Sequence, residues 1–219
     1  MTLKYKAILF DVDGTMVDNM PVHAQTWITF FGSLGLEVNE ESIHTTMAGR
    51  TSADVIKFFL PGITDEQVNQ HEMEKEALYK QIYQPVMRET PGLTHFLEQA
   101  RAMGIKMAVA SVGGIDIVGF VLNNLKITHF FDAVVSAEDV KNGKPDPEIF
   151  LLAASRLGIA PGDCLVIEDT LAGLLGAQRA GMRSIAITTG FPAEMLNGYA
   201  SVIKVIDDFD NLDPGSLAE

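Results

Sequence analysis

Two aspartates separated by a single residue follow a short apolar run near the start of this 219-residue sequence. The run covers residues 7–10, and Asp11, Asp13, Gly14 and Thr15 come next. Because an unpaired carboxylate is costly to bury, a buried strand that ends in acids indicates a bound cation, a proton transfer or a phosphate. A plain β-turn is the alternative interpretation, since Asp and Gly are common turn residues.

Further polar residues follow later apolar segments in the same way. They are Ser111 after the strand predicted over residues 105–110, Lys144 in the loop that follows the strand predicted over 133–135, and Glu168 with Asp169 after the strand predicted over 164–167. The alternation of these strands with amphipathic helices predicts an α/β fold, a Rossmann-like parallel sheet core with helices on both faces. Such sheets bind ligands at the carboxyl ends of their strands, so we expect these side chains to converge there.

Residues 17–84 show helical patterns only. A helix over Trp27 and its neighbours is predicted to end near Gly35, and a second helix is predicted from about Thr51 to Pro61. Thr64, followed three residues later by a glutamine, predicts a capped helix start. We therefore expect an α/β core formed by residues 1–16 and 85–219, with an inserted all-α domain at 17–84.

The chemistry that we predict follows from the acids expected at the edge of the sheet. Carboxylates gathered at one edge repel one another unless a hard cation lies between them, and oxygen-only ligands suit Mg²⁺ better than Zn²⁺. Mg²⁺ and one lysine can neutralise a phosphate dianion. One aspartate could then attack phosphorus while the other transfers a proton to the leaving oxygen.

Each of these later residues also has a simpler interpretation. Glu168 and Asp169 could only cap the helix that follows them, Lys144 could be a solvated loop residue, and Ser111 could belong to a turn. Their joint position after predicted strands is what favours a site.

The composition limits the partners that we expect. Acidic residues number 29 against 16 basic ones, for a formal charge of −13, which disfavours binding to nucleic acid or to anionic membranes. Cys164 is the only cysteine, so no disulfide can form within the chain. No apolar run has the length of a membrane span, and the first residues lack the pattern of a signal peptide. We expect a cytoplasmic protein, most simply a monomer.

The motifs together resemble those of the haloacid-dehalogenase-like superfamily, and within it the β-phosphoglucomutase-like branch with a helical cap. The resemblance covers essentially the whole chain. It implies that Asp11 is the nucleophile and Asp13 the general acid and base, and that Ser111 and Lys144 contact the phosphate. It further implies a Mg²⁺ site formed by Asp11, Asp13, Glu168 and Asp169, with Asp13 binding through its backbone carbonyl, and a phosphate contact from Thr15.

The helical insert corresponds to the cap of this branch, which implies substrate contacts from several of its residues. These residues are His23, Trp27, Gly49, Arg50 and Lys75. Two of them have simpler interpretations, because Trp27 could be a core residue and Lys75 a solvated helix residue.

Two departures favour a hydrolase over a mutase. Mutases of this branch carry polar side chains after the serine of the second motif, whereas residues 112–115 here are Val, Gly, Gly and Ile. Phosphatases of the family usually have threonine at the position of Thr15. We therefore expect a Mg²⁺-dependent phosphatase acting on small phosphorylated metabolites, such as sugar phosphates. The alternatives are a β-phosphoglucomutase or a pyrophosphate or phosphoglycolate phosphatase, and a non-enzymatic binding protein is disfavoured.

Overall fold

The computed structural model describes residues 4–47 and 50–217, and the chain divides into two compact units. The α/β unit comprises Met1–Asp18 and Arg88–Glu219, and the helical unit comprises Asn19–Met87. The bounds expected for the insert, residues 17–84, lie within a few residues of these, and its role as a cap stays a prediction.

The α/β unit contains one parallel sheet whose strand order is β3-β2-β1-β4-β5-β6. Its strands are β1 Ala7–Phe10, β2 Lys106–Ala110, β3 Ala133–Val135, β4 Cys164–Glu168, β5 Arg183–Ile187 and β6 Val202–Ile206. In register, Phe10 of central β1 lies opposite Val109 on one side and Ile167 on the other. The carboxyl ends of β1, β2 and β4 therefore meet at one edge of the sheet.

The α-helices of the described residues follow the predicted alternation closely. They are α1 Met20–Ser33, α2 Glu40–Met47, α3 Ser52–Phe59, α4 Asp65–Tyr83, α5 Leu93–Ala102, α6 Ile115–Asn124, α7 Glu148–Leu157, α8 Leu171–Arg179 and α9 Ala193–Leu196. The first four of these belong to the helical unit. No helix among the described residues is both long enough and apolar enough to cross a membrane.

Apolar side chains of β1 pack on both faces of the sheet, because successive strand residues point in opposite directions. Leu9 belongs to a buried cluster with Phe150 of α7 and Ala177 of α8. Phe10, its neighbour, packs edge-on against Phe96 of α5, with ring centroids 6.1 Å apart. The prediction of a Rossmann-like parallel sheet with helices on both faces is thus confirmed.

The helical unit has its own core around Trp27, whose ring stacks on Phe31 with centroids 5.3 Å apart. Both predicted helix starts are correct. Thr51 and Thr64 each accept a hydrogen bond from the backbone N–H three residues on, and each forms a complete capping box.

Two helices of the structure were not predicted from the sequence. Helix α2 was not predicted because it has few apolar residues, although Asn39 Oδ1 accepts from Ser42 N at 2.8 Å, a recognisable helix-start signal. The short α9 was also not predicted. Helix α7 has Pro147 as its N-cap residue, and Asp146 Oδ1 accepts from Glu148 N at 2.9 Å.

Candidate active site

Asp11 lies directly after β1 and is paired with a lysine from a distant loop. Lys144 Nζ donates to Asp11 Oδ1 at 2.5 Å and to Glu168 Oε2 at 2.7 Å, and all three side chains are buried. Burial alone would lower the pKa of Lys144, but the two carboxylates raise it above its ordinary value, so the ammonium stays charged. The interpretation of Lys144 as a solvated loop residue is therefore wrong.

The second oxygen of Asp11 has no hydrogen-bond partner among the described residues, although it is buried. Burial and the nearby Glu168 carboxylate raise the pKa of Asp11 to about 8, although Lys144 opposes both effects. A buried carboxylate oxygen without a donor is costly in a folded protein. This oxygen is therefore available to a cation or to an incoming electrophile.

Glu168 is the last residue of β4 and is held by the loop that follows it. Its Oε1 accepts from Thr170 Oγ1 at 2.8 Å, from Thr170 N at 3.0 Å and from Asp169 N at 3.2 Å. Burial acts to raise the pKa of Glu168, but Lys144 and these donors outweigh it and lower the pKa. Thr170 caps α8 through a hydrogen bond from Gly173 N to its hydroxyl, so Glu168 is not itself the helix cap.

Asp169 lies between two glycines from different loops. A Cβ atom on Gly14 would lie 2.2 Å from Asp169 Oδ2, and one on Gly190 would lie 2.6 Å from the same atom. The Thr15 hydroxyl, which we expected to contact phosphate, donates to Asp169 Oδ1 at 3.4 Å. Burial and the negative charges of Glu168 and Asp11 raise the pKa of Asp169 well above its ordinary range.

Asp11, Glu168 and Asp169 each offer a carboxylate oxygen within 4.8 Å of the others. This is the only such group of potential metal ligands found among the described residues. The carboxylate of Asp13 is not part of it, as expected for a residue that would bind the metal through its backbone carbonyl, and that contact stays a prediction.

Asp13 instead directs its side chain toward the loop after β2. A Cβ atom on Gly113 would lie 3.5 Å from Asp13 Oδ2 and 3.2 Å from Ser111 Oγ. Gly113 N donates to Ser111 Oγ at 3.0 Å. The two aspartates of the opening motif thus point to different parts of the site, one to the acidic group and one to the serine loop.

The loop that carries Lys144 is tied to two helices. Glu148 Oε2 on α7 accepts from the backbone N–H groups of residues 141 and 142 at 3.0 and 3.1 Å. Arg179 Nη1 on α8 donates to Pro145 O at 3.0 Å. These contacts on both sides of Lys144 restrict where its side chain can reach.

The helical unit places two of the predicted substrate-contacting residues, His23 and Lys75, next to Tyr79. His23 stacks on Tyr79 with centroids 4.4 Å apart, and Lys75 Nζ lies 4.6 Å above the ring of Trp27 and 5.7 Å from that of Tyr79. Asn19, which the sequence analysis did not single out, donates to Tyr79 Oη at 2.6 Å. Lys75 is only 4% exposed, so its interpretation as a solvated helix residue is wrong.

Arg50, another predicted substrate-contacting residue of the helical unit, lies near the start of α3. The Arg50 guanidinium lies 5.1 Å above the ring of Phe58, and Arg50 is exposed. Gly49 lies outside the described residues. Trp27 is a core residue of this unit, as its simpler interpretation predicted, and its contact with substrate stays a prediction.

The sequence analysis missed the loop after β5. Thr189 Oγ1 donates to Gly14 O, and Gly190 packs against Asp169 as described above. A threonine and a glycine directly after a buried strand were the available signal, of the same kind that identified Ser111. Thr170, which orients Glu168, was also not among the predicted site residues.

Comparisons with known proteins agree with this geometry. The family model for haloacid dehalogenase-like hydrolases matches residues 5–181. Validoxylamine A 7'-phosphate phosphatase from Streptomyces hygroscopicus subsp. limoneus is 29% identical over 192 residues, covering 88% of this chain and 90% of that protein. Fructose-1-phosphate phosphatase from Escherichia coli is 29% identical over 192 residues, covering 84% of this chain and 97% of the relative.

A solved structure shows the same fold. The β-phosphoglucomutase from Clostridium difficile superposes with a TM-score of 0.80 at 26% identity, over 95% of this chain and 93% of that one. The matched region contains the carboxylates, the serine and the lysine that meet at the edge of the sheet. This chain belongs to the haloacid dehalogenase-like hydrolase family.

Proposed function

We propose that this protein is a Mg²⁺-dependent phosphatase that hydrolyses small sugar phosphates through an aspartyl-phosphate on Asp11. The observation that carries the proposal is the buried, partnerless Oδ2 of Asp11, next to a charged lysine and two further carboxylates. This arrangement provides a nucleophilic oxygen and the positive charge that holds a phosphate beside it.

The acidic group fits Mg²⁺. Its ligand atoms are oxygens only, and the pKa values of Asp11 and Asp169 are raised because both side chains are buried and lie close to other negative charges. Asp11, Glu168 and Asp169 would hold the ion, with the backbone carbonyl of Asp13 as the expected further ligand. When bound, Mg²⁺ neutralises charge on the phosphate oxygens.

The residues divide the reaction between them. A carboxylate oxygen of Asp11 attacks phosphorus, the bond from phosphorus to the ester oxygen breaks, and Asp13 gives its proton to that leaving oxygen. Asp13 then removes a proton from water, which attacks the phosphoaspartate and releases inorganic phosphate. Lys144 stabilises negative charge at the Asp11 end, and the Ser111 hydroxyl lies on the side of Asp13.

Sugar phosphates are the favoured substrates because relatives that match most of this chain are named as phosphatases of phosphorylated sugars and related compounds. β-Phosphoglucomutase activity is the second candidate, favoured by the structural likeness to a β-phosphoglucomutase. Residues 112–115 argue for the hydrolase, since they provide no polar side chain for a second phosphate group. Substrate contacts from His23, Arg50 and Lys75 stay predictions.

Phosphate release tests the proposal directly. Fructose 1-phosphate, hexitol phosphates, pyrophosphate and phosphoglycolate would be incubated with the protein in Mg²⁺ and, separately, in EDTA. We expect release from a sugar phosphate with Mg²⁺ only, and none from Asp11→Asn. Faster conversion of β-glucose 1-phosphate to glucose 6-phosphate than release of phosphate would establish the mutase instead. Full activity of Asp11→Asn would disprove the covalent route.

A matched control separates the loss of the nucleophile from a change in net charge. Asp163 forms an exposed ion pair with Lys6 before the amino ends of the strands, at 2.7 Å. Asp163→Asn removes the same charge as Asp11→Asn and should retain activity.

A further inference from the structure

A carboxylate already occupies the N-terminus of α6, which begins beside the serine loop of the site. Both oxygens of Glu138 lie 3.1 Å from Ile115 N, the first backbone N–H of the helix, which donates to them. The Ser136 hydroxyl donates to Glu138 Oε2 at 2.8 Å and orients the carboxylate. Glu138 therefore acts as a helix cap supplied by the loop after β3.

This helix start is close to the groups that carry out the reaction in the proposed function. Gly113 directly precedes Gly114, the N-cap of α6, and a Cβ atom on Gly113 would be 3.5 Å from Asp13 Oδ2. The amides of Ile117 and Val118 are bonded to Gly114 O at 3.0 Å each. Glu138 therefore binds the Ile115 amide, the first N–H donor of α6. This amide lies on the side of the site where Asp13 would protonate the leaving group.

A phosphate group on the leaving part of a substrate would be drawn to such a position. Helix N-termini attract anions through their unpaired N–H groups and the helix dipole. Here the Ile115 amide already donates to Glu138, and the carboxylate of Glu138 contributes a full negative charge. Asp116 adds another carboxylate in the first turn of the helix. Residues 112–115 carry no cationic side chain that could offset this charge.

We propose that Glu138 is a specificity-determining residue that excludes a second phosphate group, so that the site selects sugar monophosphates over sugar bisphosphates. This inference rests on the proposed function, because it takes the Asp11 side of the site as the place where the first phosphate binds. Glu138 acts by filling the helix N-terminus and by repelling a second dianion.

Binding to an inactive background tests this selectivity without turnover. Affinities for fructose 1-phosphate and fructose 1,6-bisphosphate would be measured by calorimetry with Mg²⁺ on Asp11→Asn and on Asp11→Asn combined with Glu138→Gln. Glutamine keeps an acceptor for Ile115 N but loses the charge. We expect the ratio of bisphosphate to monophosphate affinity to rise about fivefold, the size of one interaction between unit charges about 4 Å apart in water.

Two further variants make the result specific. Ser136→Ala removes the hydroxyl that orients Glu138, so the ratio should rise in the same direction by a smaller factor. Asp163→Asn removes one charge at the other end of the strands and should leave the ratio unchanged. An unchanged ratio in Glu138→Gln, or an equal rise in Asp163→Asn, would overturn the role of Glu138.

The failure of this inference can be told apart from failure of the proposed function. If the wild-type protein releases phosphate and the affinity ratio does not respond to Glu138→Gln, only the inference fails. If the inactive background binds both compounds and the ratio shifts while the wild type releases no phosphate, the proposed reaction fails and the selectivity stands. Binding of neither compound would overturn both.

Discussion

The ammonium of Lys144 donates to Oδ1 of Asp11 at 2.5 Å, although 133 positions separate the two residues in the sequence. The contact holds one oxygen of Asp11 in place and leaves the other without a partner. It therefore selects which oxygen of the carboxylate faces an incoming phosphate. The same ammonium donates to Glu168, so one cation links the ends of β1 and β4.

Removing this cation should reduce catalysis more than it reduces folding. We expect Lys144→Ala to lower kcat for the preferred sugar phosphate by about 100-fold, because a positive charge next to the reacting phosphate is lost. The loss of charge also leaves two buried carboxylates without a cation between them, which attracts Mg²⁺ more strongly, so the variant should need less Mg²⁺ for half-maximal activity. Steady-state kinetics over a Mg²⁺ titration measures both effects.

Lys141→Ala is the matched control, since it removes a lysine from the same loop. The backbone N–H of residue 141, which Glu148 holds, is retained in that variant. Similar losses in the two variants would mean that the loop, and not the Lys144 charge, is responsible.

Gly190 should be required for the position of Asp169. A Cβ atom at this position would lie 2.6 Å from Asp169 Oδ2, so Gly190→Ala must displace the carboxylate. We expect Mg²⁺ affinity to fall about tenfold, as is usual when a group that orients a metal ligand is disturbed. Calorimetric titration of the substrate-free protein with Mg²⁺ measures this without any assay of activity.

Gly162→Ala provides the comparison for that experiment, because a Cβ atom at Gly162 meets nothing within 4 Å. Its Mg²⁺ affinity should equal that of the wild type. Equal affinities in all three proteins would show that Asp169 does not hold the ion.

Cys164 should be inert in the folded protein. The thiol is buried at the start of β4, and burial raises its pKa to about 11, so the reactive thiolate is scarce at any pH below that value. We expect no reaction with an aromatic disulfide reagent at pH 8 within an hour, and complete reaction in denaturant. The absorbance of the released thiolate measures this, and rapid labelling of the native protein would contradict the buried position.

The ion pair between Arg156 and Asp139 should stabilise the α/β unit only above acidic pH. Arg156 and the backbone N–H of Ser136 lower the pKa of Asp139 in the folded state below its ordinary value. Asp139 in the unfolded chain has a pKa of about 4, so the ion pair contributes its full stabilising free energy above that pH. This contribution is lost as the pH falls through the lower pKa of Asp139 in the folded protein.

Asp139→Asn should accordingly lower the free energy of unfolding by about 1 kcal/mol at pH 7, a value kept small because both side chains are partly exposed. Near pH 2 the variant and the wild type should converge. Urea unfolding at the two pH values measures the difference. Asp163→Asn, at a more exposed pair, should have a smaller effect at pH 7.

Periodicity and capping signals predicted much of the fold because they are local. The strand at Ala133–Val135 was predicted with its observed bounds, and the capping boxes at Thr51 and Thr64 are present as expected. Helix α2 was missed because its residues are mostly polar and show no apolar stripe. Its packing against α1 and α3 stabilises a segment whose own pattern is weak.

The order of residues along the chain determined which side chains meet. Parallel strands place their carboxyl ends at one edge, so the residues that follow β1, β2 and β4 had to converge there. The residue types also showed that acids are in excess at that edge. Because these acids repel one another, the sequence also indicated a bound cation.

Only the tertiary structure decided what each oxygen contacts. It separated Asp11, which joins the acidic group, from Asp13, which faces the serine loop, because both follow the end of β1, where side chains no longer keep the alternation of a strand. It placed the Thr15 hydroxyl on Asp169, brought Gly190 against the same carboxylate, and put Glu138 on the N-terminus of α6. These contacts join residues far apart in the chain, and their distances depend on how the loops pack, which local sequence patterns do not encode.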